Sequence, residues 1–381
     1  MNKILYISGT RADYGLMRMV LARINETPGM KLEVIATGMH LMPEFGNSVN
    51  EIIADGFTIH RLPVVHGEDT RESMAEFVGS LVVSLTKKVQ EIRPDLILLL
   101  GDRGEMLAGA IVGTYAGIPV AHIHGGEVTS TVDEPVRHAI TKLAHLHLPA
   151  TKKSARRIIR MGEDPGRVHV VGAPGLEPIL SGTFTPEEKL VKRYRINPAQ
   201  PLLLVVQHPV SAEVADAAEQ MRSTLRAVAG SGCLAIVVYP NADAGGRKMI
   251  TIIEEFSRMS PQIQAYRNLP HDDYLGLLKI ASVLIGNSSS GIIEAPTFHL
   301  PVINIGTRQD GRERAGNVIE CNYTEREITA AIRMALSDKD FLAKVRRCRN
   351  PYGRGDSSKK IVELLRHMDF AEMGSQKKNF Y

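Results

Sequence analysis

The segment VAHIHGGEVTSTVDEPVRHAITK, Val120 to Lys142, gathers groups that can move protons or hold cations: His122, His124, Glu127, Asp133, Glu134, Arg137 and His138. Three chemistries compete for it. A metal site would use His122 and His124, which alternate with apolar residues and are expected to share one face of a strand. Zinc chemistry, however, needs further ligands from other strand ends. No matching set occurs, because His138 and His145 fall on a helix and His147 belongs to the next strand; no metal is expected. Acid/base chemistry would use the carboxylates. Glu127 follows the pair Gly125-Gly126, which permits a tight turn and close approach of a ligand. Asp102, in LILLLGDRGEMLAGA, ends another apolar run just before a helix. The bland alternative is capping: Asp133, ahead of Pro135, is a natural helix N-cap, and Asp102 is placed to cap the helix after it. One of Asp133 and Glu134 is then only a cap, and which one stays open.

A second set of residues suits an anion. SGTRADYG brings Arg11 to the end of the first strand, before a helix expected near Tyr14. Free N–H groups at a helix start and a bidentate guanidinium both favour phosphate. The motif is not GxGxxG, so it does not support a dinucleotide, and Arg11 could instead pair with Asp13 or Asp102. His208, in LLLVVQHPVSAE, either donates to a phosphate oxygen or is an ordinary polar loop residue. In LIGNSSSGIIEAP, Ser288, Ser289, Ser290 and Gly291 join a strand to a helix. Three hydroxyls there exceed what capping requires and make an anion cradle. Glu294, one turn on, suits the two hydroxyls of a ribose. Arg308, Arg312 and Arg314 follow the next strand and can face the same phosphates.

The elements that must position these residues are legible as short apolar runs alternating with helix-period stretches. KILYISG, KLEVIAT, DLILLLGD, IPVAHIHGG and LHLPAT form one series; PLLLVVQHP, CLAIVVYPN, ASVLIGNSSSG and LPVINIG form another. Runs so uniformly apolar fit parallel strands covered on both faces. The expected fold is α/β: two Rossmann-like, doubly wound domains facing a central cleft. Pro and Gly cluster around residues 180–200, which sets the domains at 1–180 and 181–357. The tail is amphipathic, with Ile361, Leu364, Leu365 and Met368 on one face. A helix over 358–381 is expected to dock on the first domain.

Composition narrows the function classes. A 381-residue chain is long enough for two cores, and 44% hydrophobic residues exclude a disordered protein. A net charge of +4 gives no argument for nucleic acid. Three cysteines without a CxxC suggest a reducing compartment. The amino-terminal residues read as a strand rather than a leader, and no apolar run approaches the ~20 residues that span a bilayer. A cytoplasmic protein with no membrane partner is expected.

Taken together, GTRADYG, GDRGEMLA, HIHGGE, DEPVRHAITKLAHLHLPAT, HP, GNSSSGIIEAP and GTRQDGR span about residues 8 to 312, in order. As a set they resemble the UDP-N-acetylglucosamine 2-epimerases, a family with a GT-B-type fold. GTRADYG and GNSSSG are similar to the hydrolysing branch that supplies N-acetylmannosamine-type sugars for sialic-acid-like biosynthesis. The resemblance implies catalytic roles for Asp102, Glu127 and Asp133, with His208 beside the leaving diphosphate. It implies UDP-sugar contacts at Arg11, Ser288, Ser289, Ser290, Gly291, Glu294 and Arg312, a homodimer, and no cofactor. The implied reaction is anti elimination of UDP to a glycal, then hydration to a 2-acetamido manno sugar. The substrate is UDP-N-acetylglucosamine or a 6-deoxy-2,4-diacetamido analogue. A retaining glycosyltransferase on the same fold, or a non-catalytic nucleotide-sugar sensor, are the rival expectations.

Overall fold

The structure, a computed structural model, describes residues 1–373, 377, 378 and 380. The first apolar series builds β1 (Asn2–Ser8), β2 (Met30–Ala36), β4 (Leu96–Leu100), β5 (Val120–Ile123) and β6 (Leu146–Leu148), and β3 (Ile59–Arg61), outside that series, joins them. The second builds β7 (Leu202–Val206), β8 (Leu234–Val238), β10 (Val283–Gly286) and β11 (Val302–Ile305), and β9 (Ile263–Tyr266) and β12 (Val318–Cys321), outside that series, complete the second sheet. The sheets run β3-β2-β1-β4-β5-β6 and β12-β11-β10-β7-β8-β9. Every ladder within them is parallel. Counted within its own lobe, from β3 in one and from β9 in the other, each sheet has the 3-2-1-4-5-6 order of a Rossmann sheet. All of β4 and all of β7 are buried, as expected of strands covered by helices on both faces.

That order explains where the chemistry must be. Strand order reverses between β1 and β4 in the first sheet and between β7 and β10 in the second, and ligands bind beyond the carboxyl ends of strands at such points. Arg11 leaves β1, Asp102 leaves β4, His208 leaves β7 and Ser288 leaves β10. The two switch points face each other.

The helix after β1 spans Arg11–Glu26, starting three residues before the expected Tyr14. Its start is fixed by a capping box: the Thr10 hydroxyl accepts from the Asp13 N–H, and the Asp13 carboxylate accepts from the Thr10 N–H at 2.7 Å. Asp13 is thereby spent on the turn, and Arg11 does not pair with it. Near the end of the chain, helices span Ser357–His367 and Phe370–Met373. Residues 374–376, 379 and 381 of the expected 358–381 helix lie outside the described residues. Ile361, Val362 and Leu365 are buried in the core under the first sheet, with Leu364 and Met368 packed against it. The buried Glu177 accepts from the N–H and hydroxyl of Ser358, at 2.9 and 2.6 Å, which pins the start of the helix Ser357–His367. No helix among the described residues is long and apolar enough to cross a membrane.

Candidate active site

A cleft of about 290 Å³ lies between the two sheets. Its first-lobe wall includes Arg11, Asp102, Glu127 and Asp133; its second-lobe wall includes His208, Ser288, Ser289, Ser290, Glu294 and Arg312. Gly291, expected among the ligand contacts, does not line it. It is buried in the short helix after the serines, where a Cβ would come within 2.7 Å of Val302 Cγ1. Its part is to let that helix sit close on β11.

Each carboxylate has its own electrostatic setting. Asp102 is ion-paired to Arg137, a fully buried arginine on the helix Asp133–Leu143. The same guanidinium donates to the Glu127 carbonyl at 3.0 Å and the Thr129 hydroxyl at 3.3 Å, so one arginine ties together the turns carrying both acids. Burial raises the Asp102 carboxyl, but Arg137, Arg312 and Arg308 more than offset it and leave it below the ordinary carboxylate range. Glu127 is 3% exposed. Its Oε1 meets His124 Nδ1 at 2.7 Å, and its Oε2 lies 3.2 Å from Arg312 of the opposite lobe. Burial opposes its charge, yet Arg312, His124 and Arg137 hold it down at about 2.

Asp133 behaves the other way. Burial and the neighbouring Asp102 charge raise it above its ordinary value, against the pull of Arg308, whose guanidinium lies 3.6 Å away across the cleft. Two carboxyls whose surroundings push them apart in this sense are suited to divide acid and base roles. Asp133 is not the helix cap: Val132 holds that position, with no side-chain capping bond. Glu134 instead accepts from the Thr129 N–H at 2.7 Å and lies outside the cleft lining. Asp102 is likewise no cap, since Arg103 occupies the N-cap of the next helix.

The two histidines of the first segment are supports. His122 lies on β5 and His124 beyond its end with φ 62°, so strand alternation does not relate them. His122 contacts the Gly101 carbonyl at 2.7 Å and Thr141 at 3.3 Å, and burial lowers its pKa to about 3, so it stays neutral while bracing the Asp102 turn. His124 braces Glu127. Among the described residues, no group of three or more His, Cys, Asp or Glu side chains is placed to hold a metal ion.

Groups from both walls of the cleft suit an anion. Arg11 Nη1 is buried without a hydrogen-bond partner, and burial lowers the guanidinium to about 10, still cationic at neutral pH. Glu51 attracts this cation from a distance but makes no ion pair with it, and a buried cation without a direct partner is costly, so this position favours an incoming anion. Ser288 to Ser290 stand beyond β10, where Gly286 has φ 131° and a Cβ would lie 2.1 Å from the Val206 carbonyl oxygen. That close approach of β10 to β7 requires glycine and aims the serines at the switch point. His208 is locked by its neighbours: its N–H donates to Asn287 Oδ1 at 2.7 Å and its Nδ1 accepts from the Asn241 N–H at 3.2 Å. Burial, Arg308 and Arg103 keep its ring well below the usual histidine pKa, so it is neutral. Glu294 lines the cleft, its carboxyl raised mainly by burial. Arg308 and Arg312 face the cleft, whereas Arg314 pairs with Glu320 and Asp310 and does not line it.

Sequence reasoning missed Arg103, His271 and Tyr274, all in the lining. Tyr274 and His271 sit on the helix His271–Ile280, whose apolar periodicity reads as ordinary packing. Their buried Oη and Nε2 atoms lack partners, a signal that appears only in three dimensions.

Two facing Rossmann sheets, with acids on one lobe and a hydroxyl-rich anion pocket on the other, define a two-lobed α/β protein of the GT-B type. The sequence profile of UDP-N-acetylglucosamine 2-epimerase matches residues 22–366, and the chain belongs to that family. It is 40% identical over 381 residues to a UDP-N,N'-diacetylbacillosamine 2-epimerase (hydrolyzing) from Legionella pneumophila, covering 100% of both chains. It is 32% identical to a UDP-N-acetylglucosamine 2-epimerase from Neisseria meningitidis serogroup B, covering 99% of this chain and 98% of the relative. Among solved structures, a UDP-GlcNAc 2-epimerase from Neisseria meningitidis bound to UDP-GlcNAc superposes with a TM-score of 0.80 at 18% identity, over 96% of this chain and 100% of that one.

Proposed function

We propose that this protein is a hydrolysing UDP-sugar 2-epimerase. The observation that carries the reading is the cleft itself: Asp102, Glu127 and Asp133, on the same wall as Arg11, face the Ser288–Ser290 loop across one gap. The activity named for the Legionella relative, matched over its whole length, supports the hydrolysing outcome.

The C2 hydrogen of a UDP-2-acetamido sugar is not next to a carbonyl and is not acidic. Cleavage of the C1–O bond must therefore run ahead, leaving oxocarbenium character. Arg11, His208 and the serine loop would stabilise the departing diphosphate, an electrostatic role typically worth about 3–4 kcal/mol per contact. Asp102 and Glu127, both held ionised by arginines, would lie near C1 and C2, one stabilising positive charge and one taking the C2 proton. Asp133, whose raised pKa suits an acid, would deliver a proton to C2 of the glycal from the opposite face as water adds at C1. Each proton transfer is worth roughly 10²–10⁴-fold. Glu294 would hold the ribose hydroxyls and Arg312 the sugar-phosphate region. Neither step calls for a metal or redox cofactor.

The same reading places the protein in the cytoplasm as a homodimer supplying a manno sugar for sialic-acid-type biosynthesis, supported by the family resemblance. It divides the chain at 180/181, supported by sheets that end at Leu148 and resume at Leu202. Incubation with UDP-N-acetylglucosamine and with its 2,4-diacetamido-6-deoxy analogue, followed by NMR of the released sugar, tests it. Free UDP and a C2-inverted reducing sugar are expected from at least one; a UDP sugar left intact in both rejects the reading.

A further inference from the structure

A second chamber, of about 370 Å³, meets the cleft at the acids: Asp102, Arg103, Asp133 and Asp243 line both. Arg71, Ala75, Val132 and Ala212 in its wall are exposed, so it reaches the surface on the side of the acids. Of the four shared residues, Asp243 alone belongs to the second lobe, in the loop between β8 and the helix Gly246–Met259. Two bonds hold that loop in place. The Asn241 N–H donates to His208 Nδ1 at 3.2 Å, and the Gly245 N–H donates to Asp69 Oδ1 of the first lobe at 2.8 Å. Asp243 Oδ2 accepts from Asn241 Nδ2 at 2.5 Å. Its Oδ1 lies 3.7 Å from Nη2 of Arg103, whose Nε is paired with Glu105 at 3.3 Å. At 3.7 Å the guanidinium supplies charge without a hydrogen bond, so Oδ1 keeps its lone pairs for another donor. The Asp243 charge also reaches Asp133: after burial and Asp102, it raises that carboxyl against the pull of Arg308.

Hydration of the glycal needs a proton acceptor that elimination does not leave. On the UDP-sugar reading, on which this inference rests, one of Asp102 and Glu127 already holds the C2 proton and the other faces positive charge at C1. Asp133 gives its proton to C2. Water adding at C1 must itself lose a proton, and it must arrive while UDP fills the serine side of the cleft. We propose that Asp243 is the base that takes this proton, from water supplied through the second chamber. A lone pair of the water oxygen forms the C1–O bond, and the π pair between C1 and C2 takes the Asp133 proton at C2. The water O–H pair stays on oxygen as its proton passes to Asp243. Asp133 is left ionised and Asp243 protonated. Both line the chamber, so proton exchange through its solvent returns the proton to Asp133. A second-lobe carboxylate thereby completes the hydration that the first-lobe acids begin, a role worth roughly 10²–10⁴-fold in that step.

The test reads which sugar accompanies UDP. The substrate is whichever UDP-2-acetamido sugar the unaltered protein turns over, and NMR separates the manno sugar from the glycal by the alkene hydrogen at C1. The unaltered protein should release the manno sugar. In Asp243→Asn and Asp243→Ala, hydration should slow by about 10²-fold or more, so that glycal leaves with UDP. Added formate, a small external base, should return the manno sugar to Asp243→Ala, a rescue that a merely structural role does not allow. The assignment is overturned if the variants give the same product as the unaltered protein, if both lose UDP and sugar release together, or if formate leaves the glycal unchanged. An unaltered protein that leaves every UDP sugar intact rejects the epimerase reading, and this assignment with it.

Discussion

Replacing Glu127 by Gln isolates the electrostatics that join the two lobes. The carboxylate is 3% exposed, touches His124 at 2.7 Å, and faces Arg312 of the other lobe at 3.2 Å. These partners and Arg137 overcome the burial penalty and hold its pKa at about 2 against an ordinary 4.5. At 1.36 kcal/mol per tenfold change, that difference is worth about 3 kcal/mol of stability for the ionised form. Its sign follows from linkage. The folded pKa is depressed, so the contribution is fully present above the unfolded value and is lost as pH falls from about 4.5 towards 2. Glu127→Gln keeps the volume and removes the charge. It should cost about 3 kcal/mol at pH 7, progressively less below pH 4.5, and little near pH 2. Urea unfolding followed by circular dichroism at 222 nm is the assay, since the chain has no tryptophan. Equal stability of variant and unaltered protein at pH 7, or a deficit that does not shrink in acid, would refute the reasoning.

Asp102→Asn should lower kcat by roughly 10²–10⁴-fold while UDP affinity, measured by calorimetry, changes little, because the serine loop and His208 lie on the other wall. Arg11→Ala removes the unpaired cation, so UDP should bind more weakly and turnover should fall by about 10²–10³-fold. Gly286→Ala places a side chain at φ 131° against the Val206 carbonyl, and should cost about 2 kcal/mol or more in unfolding experiments and impair UDP binding. Dialysis against EDTA should leave turnover unchanged, because no proposed step uses a metal.

Much of this fold is visible in the sequence because its central strands are buried on both faces. Runs such as DLILLLGD and PLLLVVQHP have no other good reading. Three of the four edge strands are not visible: Ile59–Arg61, Ile263–Tyr266 and Val318–Cys321 are short, partly exposed and mixed in polarity, so neither length nor alternation marks them. At the site, strand-end residue types bring Arg11, Asp102, Glu127 and the serines into view, because ligands collect at strand ends in open α/β sheets. What cannot be read is pairing across the lobes. Arg312 with Glu127, and Arg308 with Asp133, are contacts between residues about 180 positions apart, set by how two rigid lobes meet. The resolution of Asp133 from Glu134 has the same origin. Both acids begin one helix, and only the turn from Gly126 to Val132 decides which faces the cleft.

The central claim is that acids on one lobe carry out elimination and hydration on a UDP sugar held by the other. Turnover of a UDP-2-acetamido sugar in D₂O, with the product read by NMR, tests it most directly. One deuterium at C2 of the released manno sugar, with free UDP, is the predicted result. A released sugar that keeps its original hydrogen at C2 would contradict it.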